Sequence, residues 1–348
     1  MPLVIETLEK TTQNFTQPKY SARDFQSNQD VRWCPGCGDY SILAQVQRTM
    51  PEFGVAKHNI VWVSGIGCSS RFPYYMDTYG FHGIHGRATA IASGIKISRP
   101  DLSVWVATGD GDGMSIGGNH FIHTLRRNVD IKIVLFNNQI YGLTKGQYSP
   151  TSLYGQVTKS TPYGNIDHPF IPALLALGAE GSFVARTLDR DPKHMQYILK
   201  RAGEHKGTAF VEIYQNCNVF NDGAFFAFTE KETRDDTVLV LEHGTPMIFG
   251  KEKNKGIKLD GFTPKVVTLG DGISESDLLV HNEKDSTLAF ILANFSSMEG
   301  MPRPIGIFRA IERPTYDADM EMQVQKAAAK KQGKLNDLLS SGQTWEIK

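Results

Sequence analysis

Between about residue 31 and Cys217, short apolar runs with almost no polar interruption alternate with stretches of helical period. Ile60–Val63, Val104–Thr108, Ile131–Phe136, Phe183–Thr187 and Ala209–Tyr214 are predicted as strands. Asp39–Met50, Arg87–Ser98, Ser115–Arg127, Phe170–Leu177 and Pro192–Glu204 are predicted as helices between them. A strand that is apolar at consecutive positions has no face to give to water. The alternation therefore predicts an α/β fold, a parallel sheet flanked by helices on both faces.

The pattern is different at the two ends. Residues 1–30 are polar and lack a clear period, which predicts an N-terminal arm lying on the main domain (31–220) or on a partner. Beyond Asn221 the run Thr237–Leu241, the turn-rich Gly250–Gly261 and the run Lys265–Leu269 predict an antiparallel element. Thr287–Phe295 reads as a strand and the charged stretch from about Asp317 to Leu339 as a helix. Residues 221–348 are thus expected to form a C-terminal accessory region and subunit-contact arm.

Composition narrows the function classes. With 348 residues, 40% hydrophobic and 21% charged, the chain can bury a sizeable core. Its 37 Lys+Arg balance 37 Asp+Glu, so no excess charge argues for nucleic acid or an anionic membrane surface. No apolar stretch is long enough to span a bilayer, and the N-terminus lacks a basic start followed by an apolar run, so a cytoplasmic location is expected. Four cysteines are too few for a disulfide scaffold in a chain of this length, and a Cys-x-x-Cys pair in a reducing compartment reads as a metal or redox device.

The predicted strand Val104–Thr108 runs into Gly109-Asp110-Gly111-Asp112-Gly113. Such a strand delivers the Asp110 carboxylate to the carboxyl edge of the sheet, and a helix starting near Ser115 aims its N–H groups at the same place. The next predicted strand ends in Asn137-Asn138, which brings a second oxygen ligand to that edge. A magnesium ion takes about six oxygens. Asp110, Asn138, a carbonyl near Ile140, two diphosphate oxygens and a water supply them. Glycines let the backbone approach the phosphates; for Asp112 capping of the following helix is the alternative to a place in the site. Gly-Asp-Gly alone is also a common tight turn; the paired Asn138 favours the cofactor site.

Cys34-Pro35-Gly36-Cys37 is a turn that frees N–H groups toward sulfur, Cys68 follows the first strand, and Cys217 follows the last. All four can therefore reach the diphosphate edge. An iron–sulfur cluster, a structural zinc site, or a Cys-x-x-Cys pair with two unrelated thiols are the readings. Structural zinc more often uses two closely spaced pairs, so the spacing favours a cluster.

These residues resemble a known family. Trp33-Cys34-Pro35-Gly36-Cys37-Gly38, Gly65-Ile66-Gly67-Cys68-Ser69-Ser70, His85-Gly86-Arg87, Gly109-Asp110-Gly111-Asp112 and the run from Asn137 to Gln147 are similar to the β subunits of 2-oxoacid:ferredoxin oxidoreductases. The stretch Cys68-Ser69-Ser70-Arg71-Phe72-Pro73-Tyr74-Tyr75 is most like those acting on 2-oxoglutarate. The resemblance covers roughly residues 31–220. It implies a [4Fe-4S] cluster on Cys34, Cys37, Cys68 and Cys217, and magnesium on Asp110, Asn138 and the Ile140 carbonyl. It also implies thiamine diphosphate contacts from Ile66, Gly67, Cys68, Ser69, His85, Gly86, Arg87, Gly111, Asp112, Gly142 and Leu143. Arg71 stands where the family places a cation near the substrate, and Leu143 where an apolar side chain faces the reacting centre.

The implied reaction is the coenzyme A-dependent oxidative decarboxylation of a 2-oxoacid, with electrons leaving through the cluster to ferredoxin. Thiamine enzymes also need a pyrimidine-binding domain, and no second βαβ series follows residue 221. That domain is expected on an α subunit, in a dimer of αβ heterodimers. His85 gains from its place in the His-Gly-Arg match, while His82 reads as structural. Lys145 and Gln147 either order the cofactor or face solvent. Phe72, Tyr74, Tyr75 and Tyr79 read as packing or subunit interface.

Overall fold

Residues 19–270, 272–330, 333–345 and 347 are described by a computed structural model. Eleven strands are present among them: β1 Ile60–Ser64, β2 Tyr79–His82, β3 Ser103–Gly109, β4 Ile131–Asn137, β5 Phe183–Leu188, β6 Ala209–Tyr214, β7 Val238–Leu241, β8 Ile248–Phe249, β9 Lys255–Asp260, β10 Thr263–Thr268 and β11 Arg303–Ala310. Eight make one sheet in the order β2-β1-β3-β4-β6-β5-β11-β7. β2 through β5 are parallel neighbours. β11 pairs antiparallel with β5 and parallel with β7.

The five strands expected from apolar runs are the five at the centre. Their side chains divide by parity between two cores. Val61, Val63, Val104, Val106, Ile131 and Ile133 face one layer of helices. Ile60, Trp62, Trp105, Val134, Phe136 and Ala185 face the other, with Trp62 and Trp105 stacked at 5.4 Å. Double burial of this kind requires both residue parities to be apolar, which is the pattern in the sequence.

The remaining elements bring corrections. Thr287–Phe295 is a helix, Ser286–Asn294, rather than a strand. Asp285 caps it by accepting from the Leu288 N–H at 3.0 Å, and Leu288, Ala289, Leu292 and Ala293 form its buried stripe. An Asp cap followed by that 3.6-residue spacing is a helix signal that a simple hydrophobicity count misses. The helix expected from Ser115 is two, Asp110–Met114 and Gly118–Arg127, so the chain turns helical at Asp110 itself. The C-terminal helix ends at Lys330, with a separate turn at Leu335–Leu339.

The antiparallel element after Asn221 exists as β10-β9-β8. The Thr237–Leu241 run is not part of it: β7 joins the main sheet beside β11, so the sheet extends past residue 221. Residues 1–18 of the expected arm lie outside the described residues; Phe25, in the described part of that arm, is fully buried.

After β1 the chain moves outward to β2, then returns to the other side of β1 as β3. Open α/β sheets bind ligands where the strand order reverses, at the carboxyl ends of the strands. Here that point is the β1–β3 edge, where Gly65-Ile66-Gly67-Cys68 and Gly109-Asp110-Gly111 emerge.

Candidate functional site

At that edge lies a cavity of about 380 Å³. Its wall is built from four loops. The loop after β1 gives Ile66, Gly67, Cys68 and Ser69; the one after β2 gives His85; the turn after β3 gives Asp110, Gly111 and Asp112; and the segment after β4 gives Asn138, Ile140, Gly142 and Leu143. Gly86 and Arg87 do not line it. The Gly86 N–H donates to Asp112, and the Arg87 side chain points to the Ile116 carbonyl.

The two aspartates of the motif do different work. Asp110 is 2% exposed, and its Oδ2 accepts from the Ser149 and Thr151 hydroxyls. Its Oδ1 has no side-chain partner among the described residues. Burial pushes the Asp110 carboxyl up, against the pull of those hydroxyls. A cation beside Oδ1 would favour the carboxylate again.

Asp112 instead holds loops together. Its Oδ1 accepts from the Ile66 N–H at 2.9 Å and the Gly86 N–H at 2.7 Å, and lies 3.1 Å from His85 Nδ1. Its Oδ2 accepts from the Thr108 hydroxyl at 2.7 Å. Of the two readings for Asp112, helix cap or site residue, its place on the cavity wall and this cross-loop tie favour the second. Close approach explains two glycines. A Cβ at Gly65 would stand 2.1 Å from Asp112 Oδ2, and one at Gly111 2.2 Å from the Tyr141 ring.

Asn138 opens an Asx turn in which its Oδ1 accepts from the Ile140 N–H at 3.1 Å, leaving a lone pair on that oxygen. Tyr141 donates to the Gly111 carbonyl at 3.0 Å and ties the Asn138 loop to the Gly-Asp-Gly turn. Tyr141, Ser149 and Thr151 were not singled out from the sequence. The hydroxyl-rich run Tyr148-Ser149-Pro150-Thr151-Ser152 is the signal that could have marked Ser149 and Thr151.

A second cavity, of about 180 Å³, adjoins the first, and Cys34, Cys37, Cys68 and Cys217 all line it. The Cys-x-x-Cys turn closes with the Cys37 N–H donating to the Cys34 carbonyl at 3.0 Å. The Cys217 segment is bound to it by the Gly38 N–H donating to the Asn216 carbonyl and by Asn218 Nδ2 donating to Pro35 O. Trp33 Nε1 donates to the Cys68 carbonyl at 2.6 Å and draws in the third thiol.

No three His, Cys, Asp or Glu side chains among the described residues converge to hold a single ion. Four thiols on the wall of one cavity are a donor set that fits an iron–sulfur cluster. Burial pushes the Cys68 thiol up to about 12 and raises Cys37 and Cys217 as well. Thiols in that state stay protonated near neutrality until a metal supplies positive charge.

Arg71 lines the thiol cavity, and its Nη1 donates to the Arg32 carbonyl at 2.7 Å; it is not on the wall of the larger cavity. Lys145 also lines the thiol cavity and Gln147 the larger one. His82 Nδ1 lies 2.9 Å from the Ser70 carbonyl, a structural role. Phe72 and Tyr75 are core residues, whereas Tyr74 and Tyr79 are exposed. Asp39 is a residue the sequence did not mark. It lines the thiol cavity, is 1% exposed, has an Oδ1 without a hydrogen-bond partner among the described residues, and is pushed up to about 7 by burial.

Cys68, Asn138, Gly142 and Leu143 line both cavities. A Cβ on Gly142 would stand 3.5 Å from the sulfurs of Cys68 and Cys217 alike. Whatever fills the two cavities is separated by one strip of backbone.

Residues 59–213 match the family described as thiamine pyrophosphate enzyme, C-terminal TPP binding domain. Over 337 residues the chain is 50% identical to 2-oxoglutarate oxidoreductase subunit KorB of Mycobacterium tuberculosis, a match spanning 95% of this chain and 90% of that protein. It is 45% identical over 185 residues to 2-oxoglutarate synthase subunit KorB of Archaeoglobus fulgidus, covering 53% of this chain and 69% of that one. Its fold is similar to that of a 2-oxoglutarate:ferredoxin oxidoreductase from Magnetococcus marinus, solved with 2-oxoglutarate, coenzyme A and succinyl-CoA bound. The TM-score is 0.76 at 33% identity, over 95% of this chain and 98% of that chain. With half of its residues identical to such a subunit over nearly the full length of both, the chain belongs to the β subunits of the 2-oxoacid:ferredoxin oxidoreductases.

Proposed function

We propose that the chain is the β subunit of a 2-oxoglutarate:ferredoxin oxidoreductase, converting 2-oxoglutarate and coenzyme A to succinyl-CoA and carbon dioxide while a pair of electrons passes singly to ferredoxin. The observation that carries this reading is the shared wall between the diphosphate-sized cavity and the four-thiol cavity. A purely decarboxylating thiamine enzyme has no use for the second. The names of the similar proteins support the substrate.

Asp110, Asn138 and the Ile140 carbonyl would hold magnesium, and Cys34, Cys37, Cys68 and Cys217 would hold the cluster. When bound, thiamine diphosphate supplies the nucleophile and electron sink for decarboxylation and the cluster a one-electron acceptor. The chain's own contribution is placement. Ser149 and Thr151 orient Asp110, Asp112 fixes the Ile66 and Gly86 loops, and Leu143 brings an apolar side chain to the wall that the two cavities share. Arg71, a guanidinium on the wall of the four-thiol cavity with Nη1 held by the Arg32 carbonyl, is assigned to the distal carboxylate of 2-oxoglutarate. An α subunit would bring the pyrimidine-binding domain, in a cytoplasmic dimer of αβ heterodimers. No helix among the described residues is long and apolar enough to cross a membrane.

The test is anaerobic co-purification with the bound subunit, followed by iron, sulfide and thiamine analysis and 2-oxoglutarate-dependent viologen reduction with coenzyme A. Iron and thiamine together with dye reduction are expected. Thiamine without iron would point to a non-oxidative decarboxylase, and faster turnover of pyruvate would move the substrate assignment. Arg71→Ala should impair 2-oxoglutarate more than pyruvate; equal loss on both would remove Arg71 from substrate selection.

A further inference from the structure

Behind the β4–β6 strand ends, a third cavity of about 250 Å³ opens between the sheet and the Phe225–Phe228 turn. Arg186 lines it and is completely buried. Its Nε donates to Glu212 at 2.7 Å and its Nη1 to the Pro304 carbonyl at 3.2 Å, but Nη2 has no partner among the described residues. The buried Ser296 hydroxyl, also on the wall, likewise has none. A desolvated donor left unpaired is costly, and an acceptor in the cavity would relieve that cost.

Arg303 brings a second guanidinium to the same wall, its Nη1 donating to the Tyr214 hydroxyl at 2.9 Å and its head 4.4 Å from the Phe228 ring centroid. Against these two cations stands one carboxylate, Glu212, already engaged by Arg186 and by Asn137 Nδ2 at 2.8 Å. The balance is one positive charge, with unpaired donors at one side and aromatic rings, Phe225 and Phe228, at the other.

The cavity is also wired to the diphosphate site. Asn137 Nδ2 donates to Glu212, and the Thr151 hydroxyl, whose single proton goes to one acceptor at a time, stands between Asn137 Oδ1 at 3.0 Å and Asp110 Oδ2. Every link is buried, so a change in how Glu212 is held is felt in low dielectric at Asp110.

We propose that this cavity is a second small-molecule site, for a small monocarboxylate bearing an apolar group, coupled to the diphosphate site through Glu212, Asn137 and Thr151. The carboxylate meets Arg186 Nη2, Arg303 and the Ser296 hydroxyl, and the apolar group meets the Phe225 and Phe228 rings. The site lies outside the cavities assigned to the reaction, so it tests independently of the substrate.

Benzoate serves as the probe, titrated calorimetrically into the full chain with its co-purified subunit. One saturable site per chain is expected, weakened at least tenfold in Arg303→Gln and several-fold in Ser296→Ala, both checked for an unchanged thermal midpoint. Thiamine diphosphate affinity, measured with and without saturating benzoate, should shift at least threefold in the parent protein and stay fixed in Arg303→Gln. Absence of saturable binding up to tens of millimolar, or binding that survives both substitutions, overturns the site. Binding without any shift in cofactor affinity overturns the coupling.

Discussion

The Asn218 side-chain amide donates to the Pro35 carbonyl at 2.7 Å, joining segments 183 positions apart. Pro35 sits inside the Cys34–Cys37 turn and Asn218 follows Cys217, so this bond, together with the Gly38 N–H donating to the Asn216 carbonyl, holds the first and last thiols in register. Asn218→Ala should leave the fold intact, because the bond is exposed and of ordinary strength, about 1 kcal/mol. The expected losses are in iron per chain and in the oxygen tolerance of the cluster signal, followed by electron paramagnetic resonance. Full iron content with parental lifetime in air would mean that the thiol spacing does not depend on Asn218.

Asp110 and Asp112 stand two positions apart and predict opposite outcomes. Asp110→Asn removes a carboxyl that burial already pushes up, and the amide keeps an oxygen for Ser149 and Thr151. The cofactor-free variant should therefore melt at or above the parental temperature. Ligands that bind only the folded state raise the midpoint by mass action. In this variant the rise caused by magnesium and thiamine diphosphate should vanish, and a rise of parental size would remove Asp110 from the metal site.

Asp112→Ala is expected to damage the fold itself. It strands the Ile66 and Gly86 N–H groups and the Thr108 hydroxyl, each of which now donates to that carboxylate. Unmet buried donors cost about 1–3 kcal/mol each, so the cofactor-free chain should lose several kcal/mol on denaturant titration. Cofactor affinity should fall with it. An unchanged denaturation midpoint would show that the loops hold without the tie.

The central strands were legible in the sequence because burial on both faces leaves a run of apolar residues with no alternation, as in Ile131–Phe136. The edge strand β2 was not, since Tyr79–His82 is four residues long, includes Gly80, and is exposed throughout, so it offers no continuous apolar run. β7 and β11 were obscured for another reason: β11 enters the main sheet by pairing with β5, far away in sequence, and β7 enters it only by pairing with β11. In the site, residues carrying a motif were legible, and the thiols and Asp110 reached the edge expected of them. Ser149, Thr151 and Tyr141 were not, because a hydroxyl-rich run does not say which carboxylate or carbonyl it meets; only the folded register brings these hydroxyls to Asp110 or Gly111.

His205 provides a pH test of the fold independent of the cofactors. Burial, with Lys132 nearby, pushes its imidazole down to about 4, and its Nε2 lies 2.8 Å from the Ser182 hydroxyl. In the unfolded chain a histidine titrates near 6.5. Between those values the unfolded state binds the extra proton, so the contribution of neutral His205 is whole above about pH 6.5 and is lost as pH falls toward 4. Asp39 opposes it: its carboxyl, pushed up to about 7, takes a proton in the folded chain over much of the same range. The total slope therefore mixes several groups, and the difference between parent and His205→Gln isolates one. That difference in unfolding free energy should shrink by up to about 1.4 kcal/mol per pH unit on acidification from 6.5 to 4.5. Parallel curves for the two proteins across that window would show that His205 is protonated alike in the folded and unfolded states.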